Sequence, residues 1–199
     1  MPKLFPALLV SLLALVVLSA YQSISGTLPA NAPDGLLVGM MQPVVAVHPL
    51  VLLLAAALLG VMAGPEGWAV PLGFALASLG GSAFAVGLWG VPEAAPAALG
   101  ISLLFMAAML LGGRSGPWYL LLAQLLGLAA GTMLARPMLV AEPAPMITFL
   151  LGLALSQGAL ALVAWQVARR MSPYNETKAS GVHFAVAGLL VVLAVVGLA

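Results

Sequence analysis

Charged residues fall at Lys3, Asp34, Glu66, Glu93, Arg114, Arg136, Glu142, Arg169, Arg170, Glu176 and Lys178, and the long intervals between them are apolar. A bilayer core of ~30 Å is crossed by about 20 apolar residues in helical conformation. On that ruler the pattern predicts helices at 4–20, 35–63, 68–89, 95–113, 117–135, 144–167 and 180–198. The connections hold the breakers: Pro65 with Gly67, Pro92 with Pro96, Gly112 to Pro117, Pro137 with Pro143 and Pro145, and Ser172 to Gly181. The segments are continuous apolar runs, without the alternation over about ten residues that barrel strands show. The expected fold class is all-α, a polytopic transmembrane helical bundle of seven spans forming a single transmembrane domain over 1–199.

Composition narrows the function classes. Of 199 residues, 64% are hydrophobic and 6% charged, against about 25% charged in soluble domains. That excludes an ordinary soluble protein, and disorder as well. With no Cys there is neither a disulfide framework nor a thiolate metal centre. A net charge of +1 offers nothing to a phosphate backbone, so no nucleic-acid partner is expected. The partner implied by composition is the lipid bilayer; the location expected for such a multi-pass helical protein is a bacterial-type inner (plasma) membrane.

Orientation follows from the basic residues. With the first span retained, Lys3, Arg114, Arg169, Arg170 and Lys178 share one side and Arg136 alone takes the other. The positive-inside rule makes the first side cytoplasmic and puts the carboxyl terminus outside. Trp68 and Trp89 bracket the third span, Trp118 and Tyr119 open the fifth and Trp165 closes the sixth, as headgroup-level aromatic rings do. Residues 1–25 fit either a signal peptide or a first transmembrane helix; cleavage would leave six spans.

Two internal features go beyond a plain set of spans. The 35–63 segment contains Pro43 and Pro49, and a proline inside a helix removes a donor and clashes one turn back. A half-helix from Gly35 to Met41, a break between Gln42 and Pro49, and a regular helix beyond are expected, with His48 facing the bundle. Broken backbone at membrane depth survives only under cover of protein or a water-filled cavity. Small residues also recur at four-residue spacing: Gly73, Ala77, Gly81 and Ala85; Gly127, Gly131 and Ala135; Gly152 and Ser156. Such stripes let helices approach closely, either inside one bundle or across an interface with a membrane-protein partner or a second copy.

Candidate chemistry is sparse. No Ser, His and acid can be grouped into a catalytic set, no glycine-rich phosphate loop follows a strand, and neither an enzyme activity nor a cofactor is expected. The two histidines are far apart, His48 on the outer half of the second span and His183 near the inner end of the seventh, so most of the membrane thickness separates them. The ten methionines form no motif and fit gap filling. No charge falls within a span, whereas ion-coupled carriers place charges at depth. The strongest interior polar groups are Gln42, His48, Gln124 and Gln157, accompanied by Ser78, Ser82, Ser102, Thr132, Thr148 and Ser156. The four form either a candidate polar cavity or hydrogen bonds from helix to helix.

The stretch Gly35-Leu-Leu-Val-Gly39-Met-Met-Gln42-Pro43-Val-Val-Ala46-Val-His48-Pro49 resembles the opening motif of the HupE/UreJ family, G-x-x-x-G-x-x-H-P-x-x-G-x-D-H. Pro96-Ala-Ala-Leu-Gly100-Ile101-Ser102 is similar to the family's P-x-E-x-G-I-A/S. Leu126-Gly127-Leu-Ala-Ala130-Gly131 is similar to H-G-x-A-H-G, and the order of spans agrees over the whole chain. The resemblance implies a nickel or cobalt permease associated with hydrogenase or urease maturation. Yet at the family's seven ligand positions this chain has Gln42, His48, Pro49, Ala98, Leu126, Ala130 and Gln157. Nickel and cobalt sites want several imidazole or carboxylate donors, and His48 alone is a remaining metal-ligand candidate. The expected function is therefore a non-catalytic accessory or structural membrane subunit. The alternative is a divergent permease for nickel, cobalt or a small neutral solute.

Reporter fusions test this orientation. Fusions after Arg114 and Lys178 are expected to report cytoplasm and one after Glu142 the outside; Lys178 on the outside would overturn it.

Overall fold

In a computed structural model the described residues are 31–64, 66–89, 95–112, 117–135, 143–171 and 186–194. They form seven α-helices: α1 (Ala32–Val45), α2 (Val47–Met62), α3 (Ala69–Phe84), α4 (Ala95–Gly112), α5 (Pro117–Leu134), α6 (Pro143–Met171), and α7 at 186–194. A π-helical turn, Ala85–Trp89, continues α3. The fold is all-α. The first expected span, residues 1–25 and His183 lie outside the described residues, and 186–194 falls inside the last expected span.

Two helices, over Ala69–Gly87 and Pro145–Arg170, are each long and apolar enough to cross a membrane, and α1 with α2 makes a third across its bend. Pro96–Gly112 and Leu120–Leu134 are apolar but shorter.

Helix α1 starts three residues before the expected Gly35. Asn31 adopts extended backbone and its Oδ1 accepts from the Asp34 N–H at 3.0 Å, which satisfies one orphan donor of the first turn. Pro33 lacks an N–H that would go unpaired there, and the Asp34 carboxylate faces the positive end of the helix dipole.

The expected break is present but falls later than its first proline. Pro43 is accommodated inside α1, and the chain turns by 67° at Ala46, whose ψ is 89°. The reason is which carbonyl each proline confronts. Pro43 opposes Gly39, and the carbonyl it strips of a partner is approached by the Ser156 hydroxyl of α6 at 3.4 Å. Pro49 opposes Val45, and a continuous helix would drive its ring into that carbonyl; turning at Ala46 removes the clash. Pro49 then lies in the first turn of α2, where a missing N–H does no harm.

Beyond the bend α2 is the central helix. Leu52, Ala55 and Ala56 are wholly buried, and only Leu54 on its inner turns is well exposed. A helix apolar on every face belongs inside. The buried residues of α2 share one apolar core with Phe74 and Ala75 of α3, Leu103 and Met106 of α4, Ala123 and Ala130 of α5, Ala161 of α6 and Leu190 of α7. At its end Gly64 takes φ +98°, the left-handed cap conformation that glycine adopts without strain. The backbones of Gly60 and Gly67 then meet so closely that a Cβ on either would strike the other's carbonyl.

The remaining helices associate in two tight pairs. Gly35 and Gly39 of α1 face the carbonyls of Pro145 and Phe149 of α6, while Gly152 of α6 faces that of Leu36. In the same way Gly127 and Gly131 of α5 face the carbonyls of Phe74 and Ser78 of α3, and Gly81 of α3 faces that of Leu128. Contacts advance in the same direction on both members of each pair, so α1 runs parallel to α6 and α3 parallel to α5. The small-residue stripes read from the sequence are thus occupied within the chain at Gly81, Gly127, Gly131 and Gly152.

Replacing Gly39 or Gly131 by Leu is expected to abolish monodisperse folded protein, since a side chain there forces two backbones apart at a cost of about 1–3 kcal/mol or more. Gly80→Ala, at a position with open space around it, serves as the control and should leave size-exclusion behaviour unchanged.

Candidate functional site

Among the described residues, the most polar buried feature lies where α3, α5 and α6 meet. Gln157 stands midway along the Pro145–Arg170 stretch, and Ser78 midway along Ala69–Gly87. The Gln157 Nε2 donates to the Ser78 Oγ at 2.9 Å. One turn further on, the Ser82 hydroxyl is 2.7 Å from the Gly131 carbonyl and 3.0 Å from that of Ser78. All three side chains are essentially sealed from solvent. Serine and glycine together make this seam: glycine on α5 brings the helices close enough for a short Ser82 side chain to reach across. On polarity alone Ser78 and Ser82 rank below the glutamines; the distance between helices gives them their part.

The seam is not fully paired. Gln157 Oε1 is buried with no hydrogen-bond partner. Exchanging the amide's two ends would let Ser78 donate to the oxygen but would strand the nitrogen instead, so one end stays unpaired either way. His48 Nε2 is likewise buried without a partner, on a residue that is otherwise half-buried in the first turn of α2.

The other two candidates are placed apart from this seam. Gln124 lies along Gly73 of α3, five residues before Ser78, with its Nε2 against the glycine. Gln42 is half-buried on the last turn of α1, where its carbonyl accepts from the Ala46 N–H at 2.9 Å. Among the described residues no hydrogen bond joins any two of Gln42, His48, Gln124 and Gln157. Nor do three or more His, Asp or Glu side chains come together there in a group that could hold a metal ion. Ser102 turns back onto the Ala98 carbonyl of its own helix and Thr132 onto that of Ala129, while Ser156 is shared between the Gly152 carbonyl of its own helix and the Gly39 carbonyl of α1.

No protein-family model, curated protein or solved structure matches this chain.

The arrangement can bind helix to helix, and its spare capacity is one amide end and one imidazole nitrogen. Interhelical hydrogen bonds in membranes average about 0.6 kcal/mol and reach ~1.7. Gln157→Leu and Ser78→Ala are therefore each expected to lower stability by no more than about 2 kcal/mol, read as thermal unfolding in detergent. Complete loss of folded protein in either variant would show that the seam carries more than this pairing.

Proposed function

We propose that the chain is a polytopic membrane protein acting as a non-catalytic accessory or structural subunit, HupE/UreJ-like in its order of spans but without that family's ligand set. The observation that carries this reading is the Gln157–Ser78–Ser82–Gly131 seam, in which buried polarity is directed at neighbouring helices. The residues best suited to a cargo path do not converge with it.

Helix direction supports the polytopic arrangement. If α1–α2, α3, α4, α5 and α6 each cross in turn, α3 must run parallel to α5, and α1–α2 parallel to α6. Those are the two tight pairs. Apolar side chains such as Leu76, Ile147, Leu155 and Val163 stand exposed by more than half, as lipid-facing positions would. In this arrangement the amino-terminal end of α6 faces outward, Gln157 sits near the bilayer centre and Arg169 and Arg170 meet the cytoplasm.

A divergent permease is the second reading, favoured by the 67° bend beside an imidazole nitrogen with no partner. Metal binding and uptake separate the two. Chelator-washed purified protein is expected to bind neither nickel nor cobalt tightly, and cells carrying it should take up neither ion above the level of cells without it. A wild-type uptake signal lost in Gln42→Ala and His48→Ala variants that still assemble would reverse the order.

A further inference from the structure

The cytoplasmic end of α6 carries a second cluster, unrelated to the seam. At about 1.5 Å per residue the 29 residues of α6 extend ~43 Å, well beyond a hydrocarbon core of ~30 Å. About twenty residues counted from Pro145 end at Ala164, so Trp165 enters the headgroup zone and Arg169 and Arg170 project to the level of lipid phosphates. This placement rests on the membrane arrangement proposed above.

The side chains there are organised. The Arg169 guanidinium carbon lies over the Trp165 ring, 5.3 Å from its centroid, a cation–π contact that holds one cation in place. A shallow groove of ≈ 310 Å³ is lined by Trp165, Gln166, Arg169 and Arg170. A second, of ≈ 370 Å³, is lined by Leu162, Val163, Gln166, Val167 and Arg170. Gln166 and Arg170 border both, so a cationic recess passes into an apolar trough that descends along α6 towards the bilayer interior. Among the described residues neither arginine forms an ion pair. Trp165 Nε1 is buried there without a partner.

We propose that this end of α6 is a binding site for one anionic phospholipid of the cytoplasmic leaflet. Its phosphate lies between Arg169 and Arg170 beside the Gln166 amide, and an acyl chain follows Leu162, Val163 and Val167. Guanidinium groups match phosphate oxygens in bidentate geometry, and basic recesses at the cytoplasmic face of helices suit acidic headgroups. The apolar trough selects a lipid over a free anion. The two positive charges select an acidic headgroup over a zwitterionic one.

Native mass spectrometry of the full chain, titrated with phosphatidylglycerol, phosphatidylcholine or inorganic phosphate, tests this. Wild-type protein is expected to bind one phosphatidylglycerol at least about tenfold more tightly than phosphatidylcholine, with no phosphate adduct at the same concentration. The Arg169→Gln/Arg170→Gln variant should lose the preference, and Arg169→Lys/Arg170→Lys should keep part of it. Equal binding of the two lipids by wild type overturns the site while leaving the membrane reading intact. A phosphate adduct without lipid preference overturns it in favour of a soluble anion. Protein recovered entirely outside the membrane fraction would remove both the site and the reading beneath it. The wild-type comparison decides the matter even if a variant fails to fold.

Discussion

Backbone meeting backbone, at positions where no side chain fits, is the constraint on which this fold depends. In the proposed bilayer arrangement a chain this apolar offers no contrast between a core face and a lipid face, and burial of leucine against leucine gains little over leucine against lipid. Shape must then choose the partners. Gly35 and Gly39 admit the carbonyls of α6, and Gly127 and Gly131 admit those of α3. Close approach brings many dispersion contacts at once and lets Cα–H groups face carbonyl oxygens. Two parallel pairs result, and the central helix α2 is packed among them.

The polar groups follow from that approach. Ser82 reaches the Gly131 carbonyl because the backbones are already close, and Ser156 reaches the Gly39 carbonyl that Pro43 leaves without its helical donor. Proline and glycine in α1 thus work together: one frees an acceptor, the other lets α6 come near enough to satisfy it. The bend at Ala46 redirects the chain from the α1–α6 pair into the middle of the bundle. Its position at the residue after Val45 is set by the ring of Pro49. In the proposed bilayer arrangement the same backbone contacts place Gln157 and Ser78 at the depth where an unpaired polar group is most costly. That is a physical reason for pairing them across helices.

Much of this was legible in the residues. Uncharged intervals marked the helices, and Pro43 with Pro49 marked the bend, because both signals are local. Gly127, Gly131 and Gly152 were legible as packing surfaces, but not which helix each would meet, since spacing within one helix says nothing of its partner. Gly35 and Gly39 carry the same four-residue spacing, within the stretch that resembles the family motif. Helix α1 starts three residues before Gly35 because Asn31-Ala-Pro-Asp34 is a capping sequence, a signal as local as the prolines. The candidate cavity was the least legible feature. Gln42, His48, Gln124 and Gln157 were grouped by polarity, whereas pairing depends on helix rotation, and rotation is fixed by contacts between residues far apart in sequence.

Distances between spin labels measure the parallel packing of α1 on α6 directly, in a chain with no native cysteine. Leu37, Ile147 and Val167 are all exposed, so each can be replaced by a labelled Cys without disturbing the glycine contacts. Parallel packing requires a short distance for the pair 37 and 147 and one longer by roughly 20 Å or more for 37 and 167, at about 1.5 Å per helical residue along α6. Equal distances, or the reverse order, would contradict it.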